Sequence, residues 1–171
     1  AWWWQNDVDG IYLFNLFTLD DYWGVERERA YSPLKDIGDL TSLAGKDKLY
    51  AIEQAAVGGM FSQASAPAQL PIALDTVERH LAIAMGPDAD HPGAHFRILV
   101  FLRGGEADTR VWMRLNHQLL EPVPQDGHYA AEVPAGVVRV GRNDLTIWCD
   151  SEVDKTDNPI VVHDVLIAVA Y

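Results

Sequence analysis

Behind the apolar run Ile11 to Phe14 the chain sets Asn15, Phe17, Asp20, Tyr22 and Trp23, aromatic rings mixed with an amide and a carboxylate. Aromatic faces stack on the apolar faces of ring-shaped ligands such as pyranoses, while Asn and Asp exchange hydrogen bonds with hydroxyls. The segment is therefore a candidate substrate-binding loop. The plainer reading is packing, with Phe14 and Phe17 filling a core and Trp23 covering a junction. Hydrolysis of a glycosidic bond needs two carboxylates, about 5 Å apart for retention or about 6.5–9.5 Å for inversion. Asp7, Asp9, Asp20 and Asp21 are the acids in this region. Asp7 and Asp9 precede the strand, where they cap or bond a turn, so no catalytic residue is assigned.

The remaining reactive side chains are dispersed. His80, His91, His95, His117, His128 and His163 make no His-x-x-x-His pair and no Cys/His cluster, so no metal site is assigned. Asp88, Asp90 and His91 share one loop, and Asp150, Glu152, Asp154 and Asp157 another. Such loops can hold a structural Ca²⁺, but neither has the spacing of a defined calcium loop, and both read as solvated acidic loops. No cofactor is expected. Trp112 and Trp148 lie mid-strand, where a large aromatic is ordinarily core. Both facing outward on one sheet would instead make a carbohydrate platform. Cys149, the single cysteine, excludes an intrachain disulfide and reads as a small buried hydrophobe in Leu145-Thr-Ile-Trp-Cys149. Gly58-Gly59 and Gly104-Gly105 lack the strand-to-helix setting of a phosphate loop.

The elements that must position these groups follow from pattern. The chain has 171 residues, 49% of them hydrophobic, enough for one domain with an appendage. A formal charge of -12 argues against nucleic acid and anionic membranes as partners, since phosphate binding needs clustered Lys and Arg. No apolar stretch approaches the roughly 20 residues of a membrane span, and no signal peptide is seen. The chain opens without methionine on Trp2-Trp-Trp4 and soon enters a run lacking polar alternation, the pattern of a strand covered on both faces. The sequence thus predicts a fragment whose residues 1–52 are the remnant of an α/β domain. Pro33 starts a short helix with Leu34 and Ile37, and a second turn, Leu40 to Leu43, stops at Gly45. Lys48 to Ile52 reads either as the first strand of the next module or as a link into it.

Residues 53–71 read as a linker, with Gly58 to Pro71 an exposed crossing segment. From Ile72 to residue 171 short apolar runs alternate with turns, the signature of an antiparallel sandwich. Strands are expected at Ile72 to Leu74, His80 to Met85, His95 to Leu102, Thr109 to Leu115, His128 to Val133, Asp144 to Cys149 and Ile160 to Ala170. The last is expected to break near Asp164, and Asn116-His117 to form a two-residue hairpin turn.

Three segments carry a family likeness. Val111-Trp-Met-Arg-Leu-Asn116, Arg139-Val-Gly-Arg-Asn-Asp-Leu-Thr-Ile147 and Val162-His-Asp-Val-Leu-Ile-Ala-Val169 resemble the scaffold strands of galactose-binding-domain-like jelly rolls appended to bacterial glycoside hydrolases. Val8-Asp-Gly-Ile-Tyr-Leu-Phe-Asn15, Pro33-Leu-Lys-Asp-Ile-Gly-Asp39 and Gly45-Lys-Asp-Lys-Leu-Tyr50 resemble the end of a glycoside-hydrolase-like (β/α)8 barrel. The resemblance implies a mainly β jelly-roll or β-sandwich behind the last strand and short helices of an α/β barrel. Asn15 would then stand at the C-terminal end of a barrel strand, where barrel enzymes place their sites. It further implies a noncatalytic accessory sandwich that packs on an upstream barrel and contacts carbohydrate, in an extracellular or periplasmic setting. Two alternatives stay open: the C-terminal portion of a glycosidase whose active site lies mostly outside this chain, and a purely structural interdomain or subunit-contact module.

Overall fold

The computed structural model describes residues 34–37, 40–52, 68–104, 109–125, 127–150 and 158–171. Among the described residues two four-residue helices come first, α1 (Leu34–Ile37) and α2 (Leu40–Leu43), as the sequence predicts. Gly45, with φ +66°, provides the left-handed turn that ends the second.

Among the described residues ten strands follow, with a 3-10 turn, Pro87–Asp90, between the third and fourth: β1 (Lys48–Ala51), β2 (Ile72–Ala73), β3 (Arg79–Met85), β4 (His95–Arg103), β5 (Val111–Leu115), β6 (Gln118–Leu120), β7 (Val123–Gln125), β8 (His128–Val133), β9 (Gly141–Cys149) and β10 (Val161–Ala170). They form two antiparallel sheets in a β-sandwich-like arrangement. One has the order β1-β10-β4-β8-β7, with β2 also paired to β10, and the other the order β3-β9-β5-β6. Period-two alternation aims one face of every long strand at a common core. Phe96, Ile98 and Val100 of β4 and Ile167 and Val169 of β10 meet Leu81, Ile83 and Met85 of β3, Met113 and Leu115 of β5, and Leu145 and Ile147 of β9. Each such fully buried side chain contributes about 1.5–3 kcal/mol of transfer free energy. Cys149 is buried among them, as its apolar neighbours predict.

Local irregularities have physical reasons. Val162 and Val165 are both fully buried, yet residues three apart in a regular strand point to opposite faces. A register shift between Val162 and Asp164 inserts the extra residue that turns both inward, at the predicted break. Asn116 and His117 take φ of 47° and 74°, the paired positive values of a two-residue hairpin turn, and join β5 to β6. The turn is locked from beneath. Asn143, wholly buried, accepts hydrogen bonds from Arg139 N (2.8 Å) and Asn116 Nδ2 (2.7 Å) and donates to the Arg139 (2.7 Å) and Gly141 (3.0 Å) carbonyls. Asn116 Nδ2 also reaches the Val137 carbonyl, and its Oδ1 takes the Asp144 N–H.

Several segments differ from expectation. Lys48 to Ala51, for which the sequence leaves strand and link both open, is a strand, paired with Leu166 to Val169. Leu70 lies in the stretch read as exposed but is buried in the core. Beside it, Gln69 donates to the Ala82 carbonyl (2.9 Å) and accepts the Ala82 N–H, standing in for a neighbouring strand along the edge of β3. β6 and β7 were not anticipated. They are short, and Pro124 is tolerated in β7 because that strand is an edge.

Candidate functional site

Trp112 and Trp148 do not fill the core. They occupy opposing positions in the β5–β9 ladder, on the face away from Met113 and Ile147, because each sits one residue out of phase with the buried set. Trp112 is exposed and Trp148 half-buried. Their rings lie 6.4 Å apart and within 12° of parallel. The Arg114 guanidinium sits 5.1 Å from the Trp148 ring centre, and Glu78 holds it in an ion pair. Trp148 is thus braced and Trp112 is the more open ring. Both tryptophans therefore lie on the outer face of the sheet and not in the core, where residue type places them.

Trp112 also lines a cleft of about 480 Å³. The chain crosses here from β6 in one sheet to β7 in the other through Glu121 and Pro122, and the crossing leaves a gap beside β5. Buried Val111 and Leu120 lie at its base, and Leu119, Pro122 and Pro124 add apolar surface. Exposed Arg110 and Glu121 supply one charge of each sign. Tyr129 also lines the cleft, its hydroxyl donating to the Thr109 carbonyl at 2.9 Å. Burial, aided by the Asp150 charge, pushes the Tyr129 pKa up, so the hydroxyl stays neutral and keeps acceptor capacity toward a ligand. An apolar concavity with an open aromatic ring and few polar groups suits a neutral amphipathic ligand. Sequence reasoning missed Arg110, Leu119, Glu121, Pro124 and Tyr129. The alternation of Pro122 and Pro124 between two strands was the one local signal of a break in pairing there.

Asp88 corrects another expectation. It was read as part of a solvated acidic loop, but only 4% of it is exposed. It lies in the 3-10 turn Pro87–Asp90 after β3 and accepts a charged hydrogen bond from Lys48 Nζ at 2.7 Å and one from each of the Tyr50 and Tyr171 hydroxyls. Burial pushes the Asp88 pKa up, but the Lys48, Tyr171 and Tyr50 donors outweigh it and hold the carboxyl below its usual range. Both tyrosines are pushed well above their ordinary value, by burial first and by the Asp88 bond second. A hollow of about 340 Å³ beside Asp88 is lined by Thr41, Leu43, Lys48 and His91. With its donors in place, Asp88 acts as a clamp: Lys48 and Tyr50 on β1 and Tyr171 after β10 belong to the six-stranded sheet, while the Asp88 turn follows the edge strand of the other.

The predicted substrate-binding residues Asn15, Phe17, Asp20, Tyr22 and Trp23 lie outside the described residues, as do Glu152, Asp154 and Asp157. Among the described residues no group of three or more His, Cys, Asp or Glu is placed to hold a metal ion. The histidines stay apart in their roles. His91 meets the edge of the Tyr171 ring, His128 stacks on Phe101 at 5.1 Å, and His80 faces the Thr146 hydroxyl at 3.3 Å. No helix among the described residues is long and apolar enough to cross a membrane. No known family matches the chain, and no curated protein matches its sequence.

Proposed function

We propose that this sandwich is a noncatalytic accessory module of a glycoside-hydrolase-like protein, in which the cleft at Trp112 contacts carbohydrate. The observation that carries the reading is the outward Trp112–Trp148 pair beside an apolar cleft, because a large aromatic on a sheet's outer face gives up burial that a core position would supply. The described lining of that cleft includes one carboxylate, Glu121, where a glycosidase of the usual kind uses two. The jelly-roll likeness draws support from Asn116 and Asn143, two residues of the resembling segments, which tie the hairpin to the loop before β9.

Packing on an upstream barrel draws support from the other sheet. Ala51, Leu166, Leu99 and Val123 form an at least partly exposed apolar row on its outer face, with Leu49 62% exposed beside it and Ala130, between Leu99 and Val123 in the register, buried. The same row favours the purely structural module as the second reading. Affinity electrophoresis of the 171-residue chain and of Trp112→Ala on a panel of neutral polysaccharides separates the two. Carbohydrate contact predicts retardation that Trp112→Ala reduces at least fivefold, with unfolding free energy unchanged within about 1 kcal/mol because Trp112 lies outside the core. No retardation on any of the polysaccharides would leave the structural module as the better reading.

A further inference from the structure

We infer that the outer face of the six-stranded sheet binds a second copy of this chain, in a two-fold dimer whose axis runs along the Leu166–Leu99 row. This takes up the subunit-contact role of the second reading and competes with an upstream barrel for the face. It leaves the carbohydrate contact at Trp112, on the other sheet, as it is. The register of the strands carries the inference. Two residues along the strands on one side of the row, Ala168, Arg97 and Glu132 stand opposite one another on β10, β4 and β8. Two residues along on the other side stand Asp164, Phe101 and His128. Arg97 pairs with Glu132 at 3.3 Å, while Phe101 stacks on His128 at 5.1 Å and has the His163 ring 6.2 Å away. An ion-paired row, an apolar row and an aromatic row thus follow one another along the strands.

A two-fold dimer presents one patch to itself, so that patch must be self-complementary. Two sheets packed face to face keep their strands within about 30° of alignment. The axis then lies in the plane between them, either across the strands or along them. Across the strands, on the apolar row, it sets each flanking row over the opposite row of the second copy. Arg97 then faces the second copy's Phe101, a cation on an aromatic ring, and Glu132 faces its His128, a carboxylate on an imidazole that can donate a hydrogen bond. Leu99 and Leu166 meet their own equivalents. An axis along β4 would instead set Arg97 against Arg97, like charges in a contact that excludes water. Charge therefore selects the first axis. A cleft of about 560 Å³, lined by Arg97, Glu121, Glu132 and the β6 residues Gln118 to Leu120, gives the second copy's aromatic row a concavity to enter. Five strands about 4.8 Å apart, over about seven residues, make a face of roughly 570 Å² per copy, at the small end of specific interfaces. A dissociation constant in the micromolar range follows.

The test is sedimentation equilibrium of the 171-residue protein from about 1 μM to about 1 mM, in about 0.15 M salt so that the net charge of -12 on each copy is screened beyond about 8 Å. The average mass is expected to climb from the monomer value toward twice it. Leu99→Lys, which opposes two ammonium groups near the axis, should leave monomer alone at every concentration. Glu132→Lys and His128→Glu should each weaken association about fivefold or more, and the double variant, with the two charges exchanged, should return to within about threefold of the wild type. Urea unfolding of each variant checks that the fold is kept, and with three positions no single unstable variant decides the outcome. A mass that stays at the monomer value overturns the dimer, while retardation on polysaccharide still tests the carbohydrate contact by itself. A dimer that survives Leu99→Lys overturns the choice of face. A double variant no better than the single ones overturns the axis.

Discussion

Replacing Asp88 with Asn keeps the shape of the side chain and removes its charge, which isolates what the clamp is worth. The carboxylate is almost wholly enclosed and receives Lys48, Tyr50 and Tyr171 at once. Removing one member of a buried ion pair typically costs about 3–5 kcal/mol, because the partner is left uncompensated. Lys48 keeps 15% of its side chain in solvent and a second bond to the Leu43 carbonyl, so the lower end applies, about 3 kcal/mol. For a chain of this size that lowers Tm by roughly 6–12 °C. The wild-type protein carries a matching pH signature. Because the folded-state pKa of Asp88 lies below the unfolded value of about 3.9, its contribution is present above about pH 4 and is lost as pH falls through the depressed folded value. Urea unfolding of both proteins from pH 7 down to pH 2 measures both effects. Asp88→Asn should be less stable at neutral pH and should show a shallower acid loss. A variant within about 1 kcal/mol of wild type at pH 7, or one with an unaltered acid slope, would refute the clamp.

Two further perturbations address the hairpin. Asn143→Ala removes the acceptor for the Arg139 N–H and the donors for two carbonyls at a site without solvent, so chemical denaturation should show a loss of about 3–5 kcal/mol. Asn143→Asp should be as damaging, since a carboxylate would face those carbonyls. His117→Gly should stabilise by about 0.5–1 kcal/mol in the same assay, because His pays for its φ of 74° and Gly does not; a loss of stability would show that the His117 ring makes a contact of greater worth.

Secondary structure was legible wherever local periodicity and turn chemistry agreed. The Asn116-His117 turn, the break near Asp164, the paired short helices and the burial of Cys149 all follow from side-chain properties acting over a few residues. β6 and β7 escaped because three-residue strands carry too little alternation to register, and Pro124 argues against a strand unless its edge position is known. Asp88 escaped for a different reason. Its partners stand 38 to 83 residues away along the chain, so Asp-Ala-Asp reads locally as a solvated loop, and no local pattern shows that Lys48, Tyr50 and Tyr171 converge on it. The tryptophans were misassigned because residue type alone favours burial. Strand phase, in which Val111, Met113 and Leu115 claim the inner face and leave Trp112 outside, carried the answer and outweighs type.

The two open sides of the sandwich are closed in opposite ways. On one side the edge strands β1 and β3 lie against each other, and the Asp88 clamp ties a turn beside one sheet to β1 and to Tyr171 beside the other. On the other side β6 lies against β8, and the short crossing through Pro122 leaves a cleft that the clamp's counterpart would otherwise fill. The Asp88 clamp and the proposed carbohydrate contact at Trp112 therefore lie on different strands, and none of the clamp's donors Lys48, Tyr50 and Tyr171 is among the described residues that line the cleft. Substitutions at Asp88 and Trp112 should then combine additively: a double variant should lose stability by the Asp88 amount and sugar retardation by the Trp112 amount, within about 0.5 kcal/mol on each axis. A coupling larger than that would mean that closing one side of the sandwich shapes the other, and that the cleft is held in form by the clamp.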